Sequence, residues 1–304
     1  MRTGHPAAGA ARATTRVVSL VPSLTEAVAV STPPGTLVGV TDWCTHPADL
    51  GGAARIGGTK NPDTAAVVAL RPDVVLANEE ENRAVDLDAL RAAGLDVLVT
   101  EVRTLDQAFA ELVRVLAACG VRDRPGWLDA AEAAWAAVTP EAVAVSLEAG
   151  PVRETGPGAI GETVPGTAHE TVPGTAHETV AGTGPGTASG GRPRTAVVPV
   201  WRRPWMVLGR DTFAGDLLAR LGVRNLYAGH PERYPRVPLD ELLAAGPDLV
   251  VLPDEPYRFT RDDGPEAFPK AAAALVDGRH LTWYGPSLAE APASLARALR
   301  AAHR

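Results

Sequence analysis

A short pattern occurs twice in this chain of 304 residues and constrains its fold more than any other feature. A helix-forming stretch leads through a Pro-Asp turn into a buried-type strand at residues 68–76 (VALRPDVVL), and residues 247–252 (PDLVVL) repeat the turn and strand. An acidic loop follows each copy. Short apolar strands that alternate with helices are typical of parallel sheets covered on both faces. The sequence therefore predicts two α/β lobes of one design, with their strand ends facing each other across a cleft.

The remaining segments differ in character from these lobes. Residues 104–149 are helical in pattern, and a helix from about Asp123 to Leu147 would span about 36 Å at about 1.5 Å per residue. The octapeptide ETVPGTAH occurs at residues 162–169 and again at 170–177, with too little apolar surface to fold alone. We predict five segments: a disordered N-terminus (1–15), an N-terminal α/β lobe (16–103), a helical linker (104–149), a disordered insertion (150–194) and a C-terminal α/β lobe (195–304).

Charge and hydropathy argue against several classes of partner. With 36 acidic and 29 basic residues the net charge is −7, so nothing draws the chain to nucleic acid or anionic lipid in general. No apolar run is long enough to insert in a membrane. Pro22 and Glu26 interrupt the first hydrophobic stretch, which argues against a secretory signal, and Cys44 is not in a lipid-anchor context. From these features we expect a cytoplasmic protein.

Candidate binding residues follow the predicted strands. Glu79, Glu80 and Glu81 place three carboxylates just after the C-terminal end of one predicted strand. These carboxylates could hydrogen-bond a ligand, bind a hard metal ion, or form a solvated surface. Trp43, Trp201, Trp205 and Trp283 offer flat, partly wet surfaces near strand ends, for a ligand or for packing between lobes. Arg202 and Arg203 could pair with a phosphate or carboxylate, or with the acidic loops.

Other motifs carry little weight. Cys44 and His46 are two residues apart, but two ligands do not make a zinc site. The GPGAIG run at 156–161 matches a dinucleotide-binding pattern, yet it follows no strand and opens no helix. We therefore predict no metal site, no cofactor and no catalytic residues.

Taken together, these segments resemble the class III periplasmic-binding-protein family for cobalamin and ferric siderophores. The resemblance covers nearly all of the chain outside the first 15 residues and the insertion. Residues 79–83 and 201–206 are similar to the branch described as helical backbone metal receptors. The similar segments are VSLVPSLTE (18–26), VGV (38–40), IGGT (56–59), LRPDVV (70–75) and PDLV (247–250).

The resemblance implies two Rossmann-like lobes joined by a long rigid backbone helix, with a ligand held between their loops. It also implies docking on a transporter through one acidic residue on each lobe. Asp240 stands at that position in the second lobe, whereas Ala65 occupies it in the first, with Asp63 nearby. The ligand-binding residues that it implies are Pro22, Ser23, Trp43, Glu79, Glu80, Glu81, Asn82, Arg83, Trp201, Arg202, Arg203, Trp205, Asp254, Glu255, Tyr257 and Phe259.

We therefore predict a monomeric, non-enzymatic solute-binding protein for a metal chelate such as a cobamide, a ferric siderophore or a haem-like ligand, with an ABC permease as a possible partner. One alternative is a chelatase or cofactor-handling lyase, which requires His46 or His230 to converge with Glu79–Glu81. Another is a cytoplasmic sensor that kept the lobes and lost transport.

Overall fold

The computed structural model describes residues 14–139 and 193–302. Most of the predicted disordered N-terminus and insertion, and the last part of the predicted linker helix, lie outside these ranges. Within them, the elements form two parallel α/β units with a pair of helices between them in sequence. The α/β fold predicted from the sequence is confirmed.

The first lobe is built on a five-stranded parallel sheet in the order β3-β2-β1-β6-β7. A small antiparallel hairpin, β4 with β5, lies beside it. The strands are β1 (Val17–Ser19), β2 (Leu37–Val40), β3 (Ala54–Arg55), β4 (Gly57–Gly58), β5 (Asn61–Pro62), β6 (Val74–Asn78) and β7 (Val97–Thr100), and the helices are α1 (Pro22–Ser31), α2 (Thr64–Leu70) and α3 (Ala84–Ala92).

The second lobe repeats this arrangement with four parallel strands in the order β11-β8-β12-β13. An antiparallel hairpin, β9 with β10, extends from β8. The strands are β8 (Arg194–Val197), β9 (Pro199–Arg202), β10 (Trp205–Val207), β11 (Val223–Asn225), β12 (Leu249–Pro253) and β13 (Ala272–Val276), and the helices are α6 (Phe213–Arg220), α7 (Leu239–Ala244), α8 (Gly278–Thr282) and α9 (Ala291–Ala301), with 3-10 turns at Pro265–Ala267 and Pro286–Ala289.

The repeated Pro-Asp turn has the same structural role in both lobes. Asp73 Oδ2 accepts a hydrogen bond of 2.7 Å from the backbone N–H of Arg16, just before β1. Asp248 Oδ2 accepts one of 2.8 Å from the backbone N–H of Thr195 in β8. In each lobe the aspartate thus ties the beginning of the first strand to the turn that opens its neighbour, β6 or β12. This tether explains why the motif recurs ahead of equivalent strands.

Between the lobes lie α4 (Leu105–Ala118) and α5 (Gly126–Ala136). One continuous hydrophobic cluster passes from the first lobe through these helices into the second, with Val28, Leu112, Leu128, Leu217 and Leu295 all buried. A separate apolar layer covers the other face of each sheet. Because moving one lobe against the other would open the shared cluster to water, we infer that the lobes are held rigidly.

Two local expectations need correction. The Ser-x-x-Glu spacing of Ser23 and Glu26 predicts a capping box with Ser23 as the N-cap of α1. The helix begins instead at Pro22, Val21 makes no side-chain capping hydrogen bond, and the Glu26 carboxylate pairs with Arg279 of the other lobe. The predicted helix from Asp123 to Leu147 begins instead at Gly126 and ends at Ala136, about 16 Å of helix. The same kind of spacing at Thr104 and Gln107 also predicts a capping box, and this one forms at the start of the helix Leu105–Ala118. None of the helices in residues 14–139 and 193–302 combines the length and the hydrophobicity of a transmembrane segment.

Candidate ligand site between the two lobes

The acidic loop that follows β6 is held in shape by two asparagines. Asn78 Oδ1 accepts hydrogen bonds from the backbone N–H groups of Glu80 (2.9 Å) and Glu81 (3.3 Å). Asn82 Oδ1 accepts one of 2.8 Å from Asn78 N, and Asn82 Nδ2 donates one of 2.9 Å to Thr59 O. The buried Asn82 is therefore part of the scaffold of this loop, and it orients the three carboxylates at the end of the strand.

Residues of the second lobe reach across to this loop. Arg233 Nη1 lies 3.0 Å from Glu79 Oε1, and Arg233 Nη2 pairs with Glu80. Tyr234 donates a hydrogen bond of 2.9 Å from its hydroxyl to Glu80 Oε2, and burial raises the pKa of that phenol. From the first lobe, Arg103 also lies 3.3 Å from Glu79. The carboxyl end of the β6 strand thus faces the second lobe, as the cleft geometry requires.

Two carboxyl groups in this region resist ionisation. Burial raises the pKa of Glu81 to about 7; the Lys60 ammonium opposes the rise, and the charges of Glu80 and Glu255 add to it. Burial likewise raises the pKa of Glu255 to about 7, with a further rise from Asp254. Glu81 follows β6 and Glu255 follows β12, so the two acids come from equivalent positions of the two lobes.

These raised pKa values predict that stability falls as pH rises. Between about pH 4.5 and pH 7 the folded chain holds protons on Glu81 and Glu255 that the unfolded chain has released. Their contribution to the free energy of unfolding therefore decreases as pH rises through about 7. We expect Glu255→Gln to reduce the fall in Tm between pH 5 and pH 8, measured by circular dichroism.

The control for this measurement is Glu132→Gln, on an exposed carboxylate of α5 that pairs with Arg124. It should leave the fall in Tm as in the wild-type chain. An identical fall in the Glu255→Gln variant would mean that the pKa of this buried acid is not raised.

The segment after α8 also contacts the first lobe, next to the acidic loop. Tyr284 is buried, and its hydroxyl lies 3.2 Å from Thr100 Oγ1 at the end of β7. Trp283 meets the ring of His46 edge-on, with centroids 5.6 Å apart. Both contacts join the two lobes. The enzymatic alternative requires His46 or His230 to converge with Glu79–Glu81. His46 instead lies against the Trp283 ring, and His230 Nδ1 accepts a hydrogen bond of 3.0 Å from the backbone N–H of Glu232.

The aromatic residues predicted in the second lobe gather on the β9–β10 hairpin. Trp205 stacks on Phe259 with centroids 6.1 Å apart, and Trp201 meets Tyr257 edge-on at 5.5 Å. Arg202 lies over Trp205, 5.5 Å from its centroid, and pairs with two acids of its own lobe, Asp263 and Glu266. An open groove of about 560 Å³ runs along the hairpin and is lined by Arg202, Arg203, Pro204, Trp205, Arg236, Val237 and Pro238.

The remaining predicted residues fall into different environments. Trp43 is 67% exposed and Trp201 is 42% exposed, so both indoles are accessible. Pro22 and Ser23 begin α1, where Ser23 is buried. Arg83 is turned toward α3 and pairs with Asp86 at 2.8 Å. Phe259 is buried in the apolar layer of its own lobe.

The two predicted docking acids lie on equivalent helices. Asp63 caps α2, its Oδ1 accepting a hydrogen bond of 2.9 Å from Ala66 N, and Asp240 is exposed in the first turn of α7. Their role in docking stays a prediction.

In the described part of the chain, no three His, Cys, Asp or Glu side chains are placed to hold a metal ion.

Sequence reasoning missed Arg233, Tyr234 and Tyr284. The first two lie in an irregular stretch between β11 and α7, where no periodicity marks a residue as inward-facing. One signal was present: the run ERYPRVP interleaves basic, aromatic and proline residues just before α7.

No protein-family model and no curated protein matches this chain. Solved structures do match over nearly its whole length. A periplasmic heme binding protein from Pseudomonas aeruginosa is 23% identical, covers 95% of this chain and 94% of its own, and has a TM-score of 0.64. The heme-binding protein RhuT from Roseiflexus sp. RS-1 is 19% identical (94% and 98% covered, TM-score 0.65), and the vitamin B12 binding protein BtuF of Vibrio cholerae is 15% identical (93% and 96%, TM-score 0.62).

At these identities the similarity establishes the fold, which is that of two-lobed class III periplasmic binding proteins, and the predicted resemblance is confirmed at that level. The expected cytoplasmic location is wrong, because the similar structures are periplasmic binding proteins. That expectation depended mainly on the interrupted first hydrophobic stretch, together with the context of Cys44 and the lack of a long apolar run. Pro22 and Glu26 interrupt it because it contains β1 and the first turn of α1, which are parts of the folded lobe.

Proposed function

We propose that this chain is a solute-binding protein that holds a metal chelate of the tetrapyrrole or siderophore type between its two lobes. The observation that carries the proposal is the meeting of the two lobes at Glu79 and Glu80, which Arg233 and Tyr234 contact from the opposite side. Ligands of open α/β folds bind at this position, outside the carboxyl ends of the strands. The solved structures with the same fold include binders of heme and of vitamin B12, which supports a chelate as the ligand.

Two exposed indoles support a large flat ligand. Trp43 belongs to the first lobe and Trp201 to the second, and each leaves two-fifths or more of its surface in water. Exposed tryptophans offer rigid stacking area at low entropic cost, so a planar macrocycle gains more from them than a sugar does. We propose that the protein acts outside the cytoplasm without catalysis, and that it delivers its ligand to a permease that contacts Asp63 and Asp240.

The direct test is titration of the purified chain with dicyanocobinamide, hemin and ferrichrome, followed by tryptophan emission and visible absorbance. We expect saturable one-to-one binding of at least one of the three. If all three leave both signals unchanged at concentrations up to 100 μM, the proposed function is wrong.

A pair of tryptophan variants locates the site. Trp43→Leu should weaken binding about tenfold, because about 1.4 kcal/mol is a reasonable loss for one stacking face. Trp127→Leu is the matched control: this indole lies on α5 and donates a hydrogen bond of 3.0 Å to Ser31 Oγ, away from the strand ends. Equilibrium dialysis should be used, since either substitution changes the emission. Equal effects of the two variants would place the ligand elsewhere.

A further inference from the structure

The polar groups between the lobes are mostly acidic. The loops after β6 and β12 bring together five carboxyl side chains, while the nearby cations are fewer and already engaged. Arg233 pairs with Glu79 and Glu80, and Arg103 pairs with Glu79 and Glu101. The ammonium of Lys60 donates to the backbone carbonyl of Glu80. The five acids are Glu79, Glu80, Glu81, Asp254 and Glu255.

Consequently, among the described residues, the arginines beside Glu79 and Glu80 are already paired with carboxylates, and the Lys60 ammonium near Glu81 is hydrogen-bonded to a backbone carbonyl. A carboxylate on a ligand therefore finds more acids than available cations there. To bind there it must either displace an existing ion pair or enter next to like charges. Like-charge juxtaposition is a strong means of excluding a wrong partner. Arg202 does not alter this balance, because Asp263 and Glu266 already hold it within its own lobe.

Glu81 and Glu255 differ from Glu79 and Glu80, which pair with arginines, and from Asp254, whose Oδ1 accepts a hydrogen bond of 2.7 Å from the backbone N–H of Gly278. Trp283 donates a hydrogen bond to the Glu255 carboxyl group, whereas its Oε1 is buried and has no hydrogen-bond partner in the described part of the chain. A glycine lets this side chain lie where it does: a Cβ on Gly278 would come within 2.3 Å of Glu255 Cγ and 2.9 Å of its backbone N. A buried acceptor without a donor is costly, so this oxygen is suited to a donor on a ligand.

The charged groups around Glu81 and Glu255 explain why a ligand carboxylate next to them is unfavourable. Each has at least one other carboxylate nearby, and the charge of Glu255 also raises the pKa of Glu81 from the other lobe. The charged and titratable groups that face them are Lys60 and Glu80 around Glu81, Asp254, Asp277 and Arg279 around Glu255, and the buried phenol of Tyr284 near Glu81.

We propose that Glu81 and Glu255 are specificity-determining residues that select a chelate whose periphery is neutral and carries hydrogen-bond donors, such as primary amides, over one that carries carboxylates. The inference rests on the proposed function and narrows its ligand class. A carboxylate oxygen accepts an amide N–H readily and repels a carboxylate, so one pair of side chains both attracts the first ligand and excludes the second.

The test compares two corrinoids that share the macrocycle and the cobalt. Dicyanocobinamide carries amides at its periphery, and dicyanocobyrinic acid carries carboxylates at the corresponding positions. Binding is measured at pH 8 by equilibrium dialysis with visible absorbance. We expect the wild-type chain to bind the amide form at least tenfold more tightly than the carboxylate form.

Variants of the two acids separate selectivity from structural damage. Glu81→Gln and Glu255→Gln should tighten binding of cobyrinic acid about tenfold while changing that of cobinamide less than about threefold. A variant that is merely damaged would lose affinity for both corrinoids. The control Glu132→Gln, on the exposed face of α5, should leave the ratio of the two affinities unchanged.

The outcomes separate the two proposals. Equal or tighter binding of cobyrinic acid, or of hemin with its two propionates, by the wild-type chain would overturn the selectivity and leave a chelate-binding protein. An unchanged affinity ratio in both glutamine variants would do the same. Failure of cobinamide, cobyrinic acid, hemin and ferrichrome alike to bind would overturn the function and the selectivity together.

Discussion

A Gly209→Ala variant should lose most of its chelate affinity and unfold at a lower urea concentration than the wild-type chain. A Cβ at this position would lie 2.0 Å from the backbone oxygen of Glu232 and 3.2 Å from that of Arg233, and 3.0 Å from Pro235 Cδ. A separation of 2.0 Å is far inside van der Waals contact, and the atom approached is backbone. The segment from 232 to 235 must therefore move.

That segment carries Arg233 and Tyr234 to the acidic loop of the other lobe. It is held by a hydrogen bond of 2.7 Å from Gly209 N to Arg233 O, which the same displacement would break. Overpacking a well-packed site costs about 1–3 kcal/mol, and a clash with backbone belongs at the upper end of that range. We expect about 3 kcal/mol of lost unfolding free energy and at least a tenfold weaker affinity for cobinamide.

The matched control is Gly229→Ala, in the stretch that leads to the same segment. A Cβ there would meet no atom within 4 Å, so stability should stay within about 0.5 kcal/mol of the wild-type value. Urea unfolding and dialysis of both variants complete the test. If Gly209→Ala binds cobinamide as tightly as Gly229→Ala does, Arg233 and Tyr234 do not form part of the ligand site.

The fold was predictable because its strongest signals are local. Helix, Pro-Asp turn and strand occupy nine consecutive residues of the first copy, and Asp73 and Asp248 bond to the strand that begins each lobe. The acidic loop after β6 could be placed at a cleft for the same reason, since the ends of parallel strands share one edge of a sheet. Such reasoning needs only the order of elements along the chain.

The partners inside the site were not predictable, because they depend on contacts between distant segments. Arg233 belongs to an irregular stretch, and its pairing with Glu79 follows from how one lobe faces the other. From the sequence, Arg202 could pair either with a ligand or with an acidic side chain of the protein. The structure pairs it with Asp263 and Glu266, which lie in a loop of its own lobe. Likewise the sequence predicts that Glu26 caps α1, whereas in the structure its carboxylate pairs with Arg279 of the other lobe.

Arg279 is the partner that Glu26 finds in the other lobe. We expect Arg279→Met to lower the free energy of unfolding by about 3 kcal/mol. Arg279 of α8 forms a two-pronged ion pair with Glu26 of α1, one contact being Nε to Oε2 at 3.3 Å. The Glu26 side chain is only 6% exposed, so without the guanidinium its charge stays buried and uncompensated. Breaking such a pair costs about 3–5 kcal/mol, and the 26% exposure of Arg279 favours the lower value.

A double-mutant cycle distinguishes this cause from lost packing, because Arg279 also lies 5.9 Å from the ring centroid of Trp283. Adding Glu26→Gln to Arg279→Met removes the stranded charge and should restore about half of the lost stability. Arg91→Met is the control, since its pair with Asp88 is on the surface and should contribute less than about 1 kcal/mol. If Arg279→Met costs no more than Arg91→Met in urea unfolding, the ion pair between α1 and α8 does not hold the lobes together. In that case their rigid attachment would depend on the shared hydrophobic cluster of α4 and α5 and on the other contacts between the lobes, such as that of Tyr284 with Thr100.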